Sequence, residues 1–241
     1  YVMFFETRFD ATWLADTFPD KDYSLCRNGD AWGIGIAVSD DGLDWRIVTG
    51  QPFIVPEPGT YYGCTAAHPN VVYDANAPGG PTLQVFFKAE TNRAIGGSNL
   101  QSGVGLIQAR LTGNWTSRSG WSVRVMDAPV LPLTNFGFPS VVRYGDTWNM
   151  WVAQVPSLYR ATRTGNLPDL FSDPRATTTF TISPTPVMSP GATSWSPTRV
   201  YNPATTCKDN SAYPYTMYVG GKGLDGFGGL LSGGWGDALS A

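Results

Sequence analysis

Three side chains in this 241-residue chain carry the chemistry for proton transfer: Glu6, Glu90 and His68, the only histidine. Two carboxyl groups flanking one acetal-type bond can hydrolyse it, one giving a proton while the other serves as base or nucleophile. Glu6 follows the apolar run Tyr1-Val2-Met3-Phe4-Phe5, and Glu90 follows Leu83-Gln84-Val85-Phe86-Phe87-Lys88-Ala89. The two glutamates therefore read as the ends of comparable strands, a relocated carboxylate pair with His68 between them. A plainer role is open to each, as rim ion pairs of Glu6 with Arg8 and Glu90 with Arg93, worth about 0–1 kcal/mol. His68 is either a site residue or a hydrogen-bonded histidine at a strand junction. The sequence holds no Gly-x-Ser-x-Gly elbow with which a histidine would form a nucleophilic triad.

The elements that must position these groups recur along the chain. His68-Pro69-Asn70-Val71-Val72-Tyr73 precedes Leu83–Phe87, Phe138-Pro139-Ser140-Val141-Val142-Arg143 precedes Trp148–Val152, and Ser196-Pro197-Thr198-Arg199-Val200-Tyr201 precedes Tyr215–Val219. Each reads as X-Pro, strand, turn, strand. Tyr1–Thr7 matches a second strand without its first, so the chain is expected to begin inside a repeat and to follow a removed leader or a longer amino-terminal part. A second joint also recurs: Trp32–Trp45 and Gly103–Trp115 each read as a β run, a turn and a Trp, with Ser157–Asn166 a weaker copy and Gly228–Ser232 the start of a fourth. Glycine supplies the positive φ of tight hairpins, and Asp or Asn beside it bonds the local backbone. Asp40, Asp41 and Asp44 accordingly belong to turn chemistry.

The unit is thus four antiparallel strands. The spacing of the His68, Phe138 and Ser196 anchors exceeds the ~40–50 residues of compact blade repeats, and long loops account for the excess. The expected fold is all-β, a single β-propeller domain over 1–241 built of four-stranded antiparallel blades at about 1–60, 61–130, 131–190 and 191–241. Nothing sustains a helical period. Phe4, Phe5, Phe86, Phe87, Trp151 and Tyr218 fall on equivalent strand positions and form the expected core.

In such a ring the start of each first strand and the end of each second strand share one face. That rule gathers Glu6, Glu90, His68, Gln154, Gly220, Gly137, Phe138, Trp195 and Ser196 on a rim, with Tyr61, Tyr62 and Phe136 near. Flat apolar rings beside charged acceptors suit a sugar. The expected partner is an oligo- or polysaccharide, with Glu90 and Glu6 as catalytic carboxyls and His68, Gln154, Trp195, Tyr62, Phe136 and Arg93 contacting it.

The Pro-x-Val-Val strand with its aromatic partner, joined to Gly35-Ile36-Ala37-Val38-Ser39-Asp40-Asp41-Gly42-Leu43-Asp44-Trp45, resembles the five-bladed propellers of the family 43 and family 32 glycoside hydrolases. The likeness covers most of the chain. It implies a five-bladed ring, incomplete here, and carboxylates at the starts of inner strands. Here His68 and Gly137 or Phe138 occupy those positions in the second and third blades, so the family's catalytic set does not carry over. The resemblance therefore leaves two functions open, glycoside hydrolysis and non-catalytic glycan binding or assembly within a larger secreted protein.

Bulk properties narrow the partners. Net charge is −3, Lys and Arg total 16, and no basic stripe is present, which argues against nucleic acid. No apolar run approaches the ~20 residues of a membrane helix. Cys26, Cys64 and Cys207 lack zinc spacing, and one disulfide with an orphan or three free thiols are both open. The acidic set Asp10, Asp16, Asp20 and Asp22 lacks the alternating ladder of a calcium loop and reads as solvated. No metal or cofactor is expected. Scarce Lys, abundant Gly, Ser and Thr, and the sequon Asn114-Trp115-Thr116 point to a secreted, extracellular or cell-surface protein.

Overall fold

The computed structural model describes residues 1–26, 31–48, 52–91, 101–191, 198–207, 215–222 and 236–239. They form two compact units, one of residues 1–134 with 167–178, the other of 135–166 with 179–241. The first unit holds β1 (Val2–Phe9), α1 (Ala11–Thr17), β2 (Ala31–Val38), β3 (Arg46–Ile47), β4 (Thr65–Asp74), β5 (Thr82–Glu90), β6 (Ser102–Leu111) and β7 (Trp121–Val125). The second holds β8 (Gly137–Tyr144), β9 (Thr147–Gln154), β10 (Ser157–Thr164), β11 (Thr181–Ile182), β12 (Arg199–Cys207), β13 (Tyr215–Lys222) and β14 (Gly236–Leu239).

The all-β expectation holds, and the propeller does not. The first unit is one curled seven-stranded sheet in the order β1-β2-β4-β5-β6-β7 with β3 on β2, while the second has a four-stranded sheet β11-β10-β9-β8 and a three-stranded sheet β12-β13-β14. The expected boundary between two blades is a join, because β2 and β4 pair in parallel at Trp32 and Thr65. The sheets are unequal and open, and no five-bladed ring is present. A helix is present as well: the Asp10 carboxylate caps α1 by accepting from the Trp13 N–H at 2.8 Å, which an alternation-based reading passes over.

The X-Pro signal marks something more local than a blade. Proline has no N–H to give the ladder, so it is tolerated in a sheet mainly at edges and bulges. Pairing skips from Ala67 to Asn70 in β4, from Gly137 to Ser140 in β8 and from Tyr201 to Ala204 in β12. The residue before each proline is left-handed, at φ 50° for His68, 55° for Phe138 and 49° for Asn202. Asparagine and histidine enter that region more often than most residues, whereas the bulky Phe138 is an outlier there, and a residue held in it costs about 1–3 kcal/mol. The matching bulge in β12 is at Asn202-Pro203, and the Ser196-Pro197 anchor read from the sequence lies outside the described residues along with Gly228–Ser232.

Two cores follow from strand alternation. In the first unit Ile34, Ile36, Phe53, Ala66, Val85, Phe87, Ile107 and Trp121 pack together; in the second, Trp151, Ala153, Val200, Met217 and Val219 do. Phe86, Phe87 and Trp151 are buried as expected, and Phe4 and Phe5 are half-buried. Tyr218 stands opposite Ala204, the register position that Phe86 and Trp151 hold opposite Asn70 and Ser140, but it is 41% exposed. One packing device occurs twice. Phe5 pairs with Gly35 and Phe87 with Gly105, and a Cβ on either glycine would run into the facing ring.

Leu167–Thr178 reaches β6 through a polar clip. Gln108 donates to the Pro168 carbonyl at 2.7 Å and accepts from the Leu170 N–H at 2.9 Å, while Arg110 pairs with Asp169 at 2.8 Å and lies over the Phe171 ring. Burial pushes the Asp169 carboxyl up, but the Phe171 amide, Ser172 and Arg110 together hold it below its ordinary value.

The Ser39–Trp45 turn is built as its aspartates suggest. Asp41 accepts from the N–H groups of Asp44 and Leu43 and from the Ser39 hydroxyl, which lowers its pKa to about 2. Any stability this adds is present above the ordinary carboxylate pKa and is lost as pH falls towards about 2.

Cys26 and Cys64 form a disulfide across a sequence separation of 38. In the chain-entropy treatment, closing a loop of that length stabilises by ~4 kcal/mol. The paired replacement Cys26→Ser and Cys64→Ser is expected to lower unfolding free energy by an amount of that order, seen as a lower urea midpoint. An unchanged midpoint would show that the bridge restrains nothing.

Candidate functional site

The site grows from the β4 bulge. His68 has left the ladder there, so its N–H needs another acceptor. Glu6 Oε2 supplies one, accepting from the His68 N–H at 3.1 Å and standing 3.1 Å from Nδ1 of the same residue. A carboxylate in that position calls for a proton on Nδ1, which leaves Nε2 of the neutral ring as the lone-pair nitrogen. Glu6 does not end its strand as the sequence reading held. It lies within β1 opposite Ile34. The Phe5–Gly35 and Phe87–Gly105 pairings make Glu6 the counterpart of Lys88, and Arg8 the counterpart of Glu90.

Glu90 does end its strand. It pairs with Thr65 at the start of β4, its Oε2 accepts from the Thr65 hydroxyl at 3.0 Å, and its Oε1 is 3.5 Å from Lys88 Nζ. Lys88 and Glu90 are two residues apart in a strand, so they share one face. All four charged or titratable groups are half-buried. The His68 pKa is lowered chiefly by burial; Glu6 and Glu90 pull it up and Lys88 pushes it down, and burial prevails. The structure thus brings Glu6, His68 and Glu90 into one electrostatic neighbourhood. Glu6 pairs with His68 and Glu90 with Lys88, Arg8 lies over the Trp32 ring at 6.0 Å, and Arg93 is outside the described residues.

Among the other expected contacts, Tyr62 packs edge-on against Phe87 at 6.0 Å, on the face of β5 opposite Lys88 and Glu90, and burial with nearby Glu57 and Asp127 raises its pKa to about 12. Tyr61 is buried and stacks on the same ring. Phe136 and Gln154 belong to the second unit, where Phe136 is buried against Tyr159 and Gln154 ends β9 opposite Ser157. Trp195 lies outside the described residues.

Three contributors escaped the sequence reading. Lys88 was legible from alternation, two positions before Glu90. Thr65 and Trp32 were not, because only the β2–β4 join sets them side by side. Trp32 is 37% exposed, and its N–H donates to the Cys64 carbonyl at 3.0 Å. Cys64 N–H in turn donates to the Glu90 carbonyl at 3.0 Å, so the disulfide residue ties the Trp32 and Glu90 strand ends together. Among the described residues no three His, Cys, Asp or Glu side chains are grouped to hold a metal, and no helix is long and apolar enough to cross a membrane. The sequence matches no known family model and no curated protein.

A histidine whose folded pKa lies below its unfolded value favours the native state most above the unfolded value, about 6.5, and this stability declines as pH falls through that value towards the folded one. Urea midpoints measured across that range are expected to drop with falling pH in the natural chain, and to drop less in His68→Gln. Equal slopes in both would remove His68 as the titrating group.

Proposed function

We propose that this protein recognises a saccharide outside the cell through the Glu6, His68, Lys88 and Glu90 group, with the exposed Trp32 ring at the same strand ends. The observation that carries the reading is the shared, half-buried placement of two carboxylates, an imidazole and an ammonium, each oriented by a neighbour. Such a set offers both acceptors and donors to vicinal hydroxyls, and an exposed indole offers a flat face to a sugar ring. Binding is favoured over hydrolysis because both glutamates already act as acceptors, Glu6 from His68 and Glu90 from Thr65, whereas a general acid must offer a proton. The Cys26–Cys64 bridge supports an oxidising, extracellular setting.

The test is a glycan array followed by calorimetry on the best ligand, with release of reducing ends followed in parallel. Glu6→Gln and Glu90→Gln are each expected to weaken binding about tenfold or more, the scale of one hydrogen bond to a charged group, with no reducing ends released by the natural chain. Absence of any saccharide binding, or unchanged affinity in both variants, would refute the reading. Release of reducing ends that stops in both variants would replace recognition with hydrolysis.

A further inference from the structure

The sequence contains one Asn-x-Ser/Thr triplet, Asn114-Trp115-Thr116. It lies in the connection between β6 and β7, and the structure shows what surrounds it. Asn114 is exposed, while Trp115 and Thr116 are half-buried. The Asn114 side-chain oxygen accepts from the Thr116 N–H at 3.0 Å and from the Thr116 hydroxyl at 2.8 Å, so the two sequon side chains are already joined and the amide carbonyl is polarised. Below them the Trp121 indole donates to the Trp115 carbonyl at 3.0 Å, and the Ser117 N–H donates to the Asn114 carbonyl at 3.1 Å. The turn is therefore pinned from the core side and open on the solvent side. A large group added at the Asn114 amide would displace no packed side chain.

A second, independent observation concerns the compartment. The Cys26–Cys64 disulfide belongs to chains that pass through an oxidising lumen, where transfer of oligosaccharide to asparagine also takes place.

We infer that Asn114 is a site of N-linked glycosylation. The donor is a polyprenyl-pyrophosphate-linked oligosaccharide supplied with its transferase by the secretory pathway. The bond between the anomeric carbon and the pyrophosphate oxygen breaks, and polyprenyl pyrophosphate leaves with the electron pair. The Asn114 amide nitrogen bonds to that carbon and gives up one proton to base. The glycan would stand beside β7, the last strand in the order of its sheet. A bulky hydrophilic chain there would discourage another strand from adding to that edge.

The full chain is expressed behind a secretory leader in yeast, collected from cells and medium together so that retention hides nothing, and weighed intact before and after an amidase that releases N-linked glycans. The expected result is the loss of one glycan's mass on treatment, with aspartate left in place of Asn114 in the corresponding peptide. Asn114→Gln and Thr116→Ala should each abolish the mass change, and Thr116→Ser should keep it. An unmodified Asn114 in the natural chain overturns the inference, as does a mass change that survives both abolishing variants.

Discussion

A proline inside a sheet leaves a gap in the ladder, and in the first unit that gap is what organises the candidate site. Pro69 has no N–H, the register shifts by one residue, and His68 is left in a left-handed conformation with its own N–H outside the ladder. Glu6 answers it from another strand, using one oxygen for both the backbone and the imidazole. A hydrogen bond to a charged group is worth about 1.5–3 kcal/mol, comparable to the about 1–3 kcal/mol of a strained backbone residue. The bulge and the carboxylate thus offset one another, and removing either leaves the other unsupported.

Cys64 does parallel work one strand end away. Its N–H bonds the Glu90 carbonyl, its carbonyl accepts from Trp32, and its sulfur is bridged to Cys26. One residue therefore fixes β2, β4 and β5 at the end where Thr65 and Glu90 meet. The segment after β1 is held to the same point: Phe9 and Trp13 stack at 4.7 Å, and the Tyr23 hydroxyl donates to the Pro56 carbonyl at 2.7 Å. Burial, with Glu57 and Asp20 nearby, raises the Tyr23 pKa to about 12, which keeps that hydroxyl a donor. Rigidity at this end comes from covalent and backbone links, independently of the charged side chains.

Much of the local structure was legible in the residues. The strand pairs at His68-Pro69 and Phe138-Pro139 are real, the Ser39–Trp45 turn is held by its aspartate as turn chemistry requires, and Glu6, His68 and Glu90 do come near one another. Higher levels were not legible. A repeat of strand pairs shows that similar hairpins form, but it does not show that β2 joins β4 through Trp32 and Thr65, and that join turns two supposed blades into one sheet. The bulge at Asn202-Pro203 was not legible because it is followed by Ala-Thr-Thr in place of the Val-Val of the earlier copies. The short helix left no period to detect, and only its Asp10 cap marked it. Tyr218 keeps its register position and loses its burial, because alternation gives a side chain's face and not what covers it.

The paired rings and glycines carry an implication for how this chain tolerates change. At Phe5 with Gly35, and again at Phe87 with Gly105, one partner's bulk occupies the volume the other has given up. Neither position can be varied on its own terms. A methyl group at either glycine demands a smaller neighbour across the ladder, and trimming either ring opens a void that a larger partner alone would fill. Substitutions at these four sites should be accepted in couples, so the chain has fewer independent choices here than its count of residues suggests.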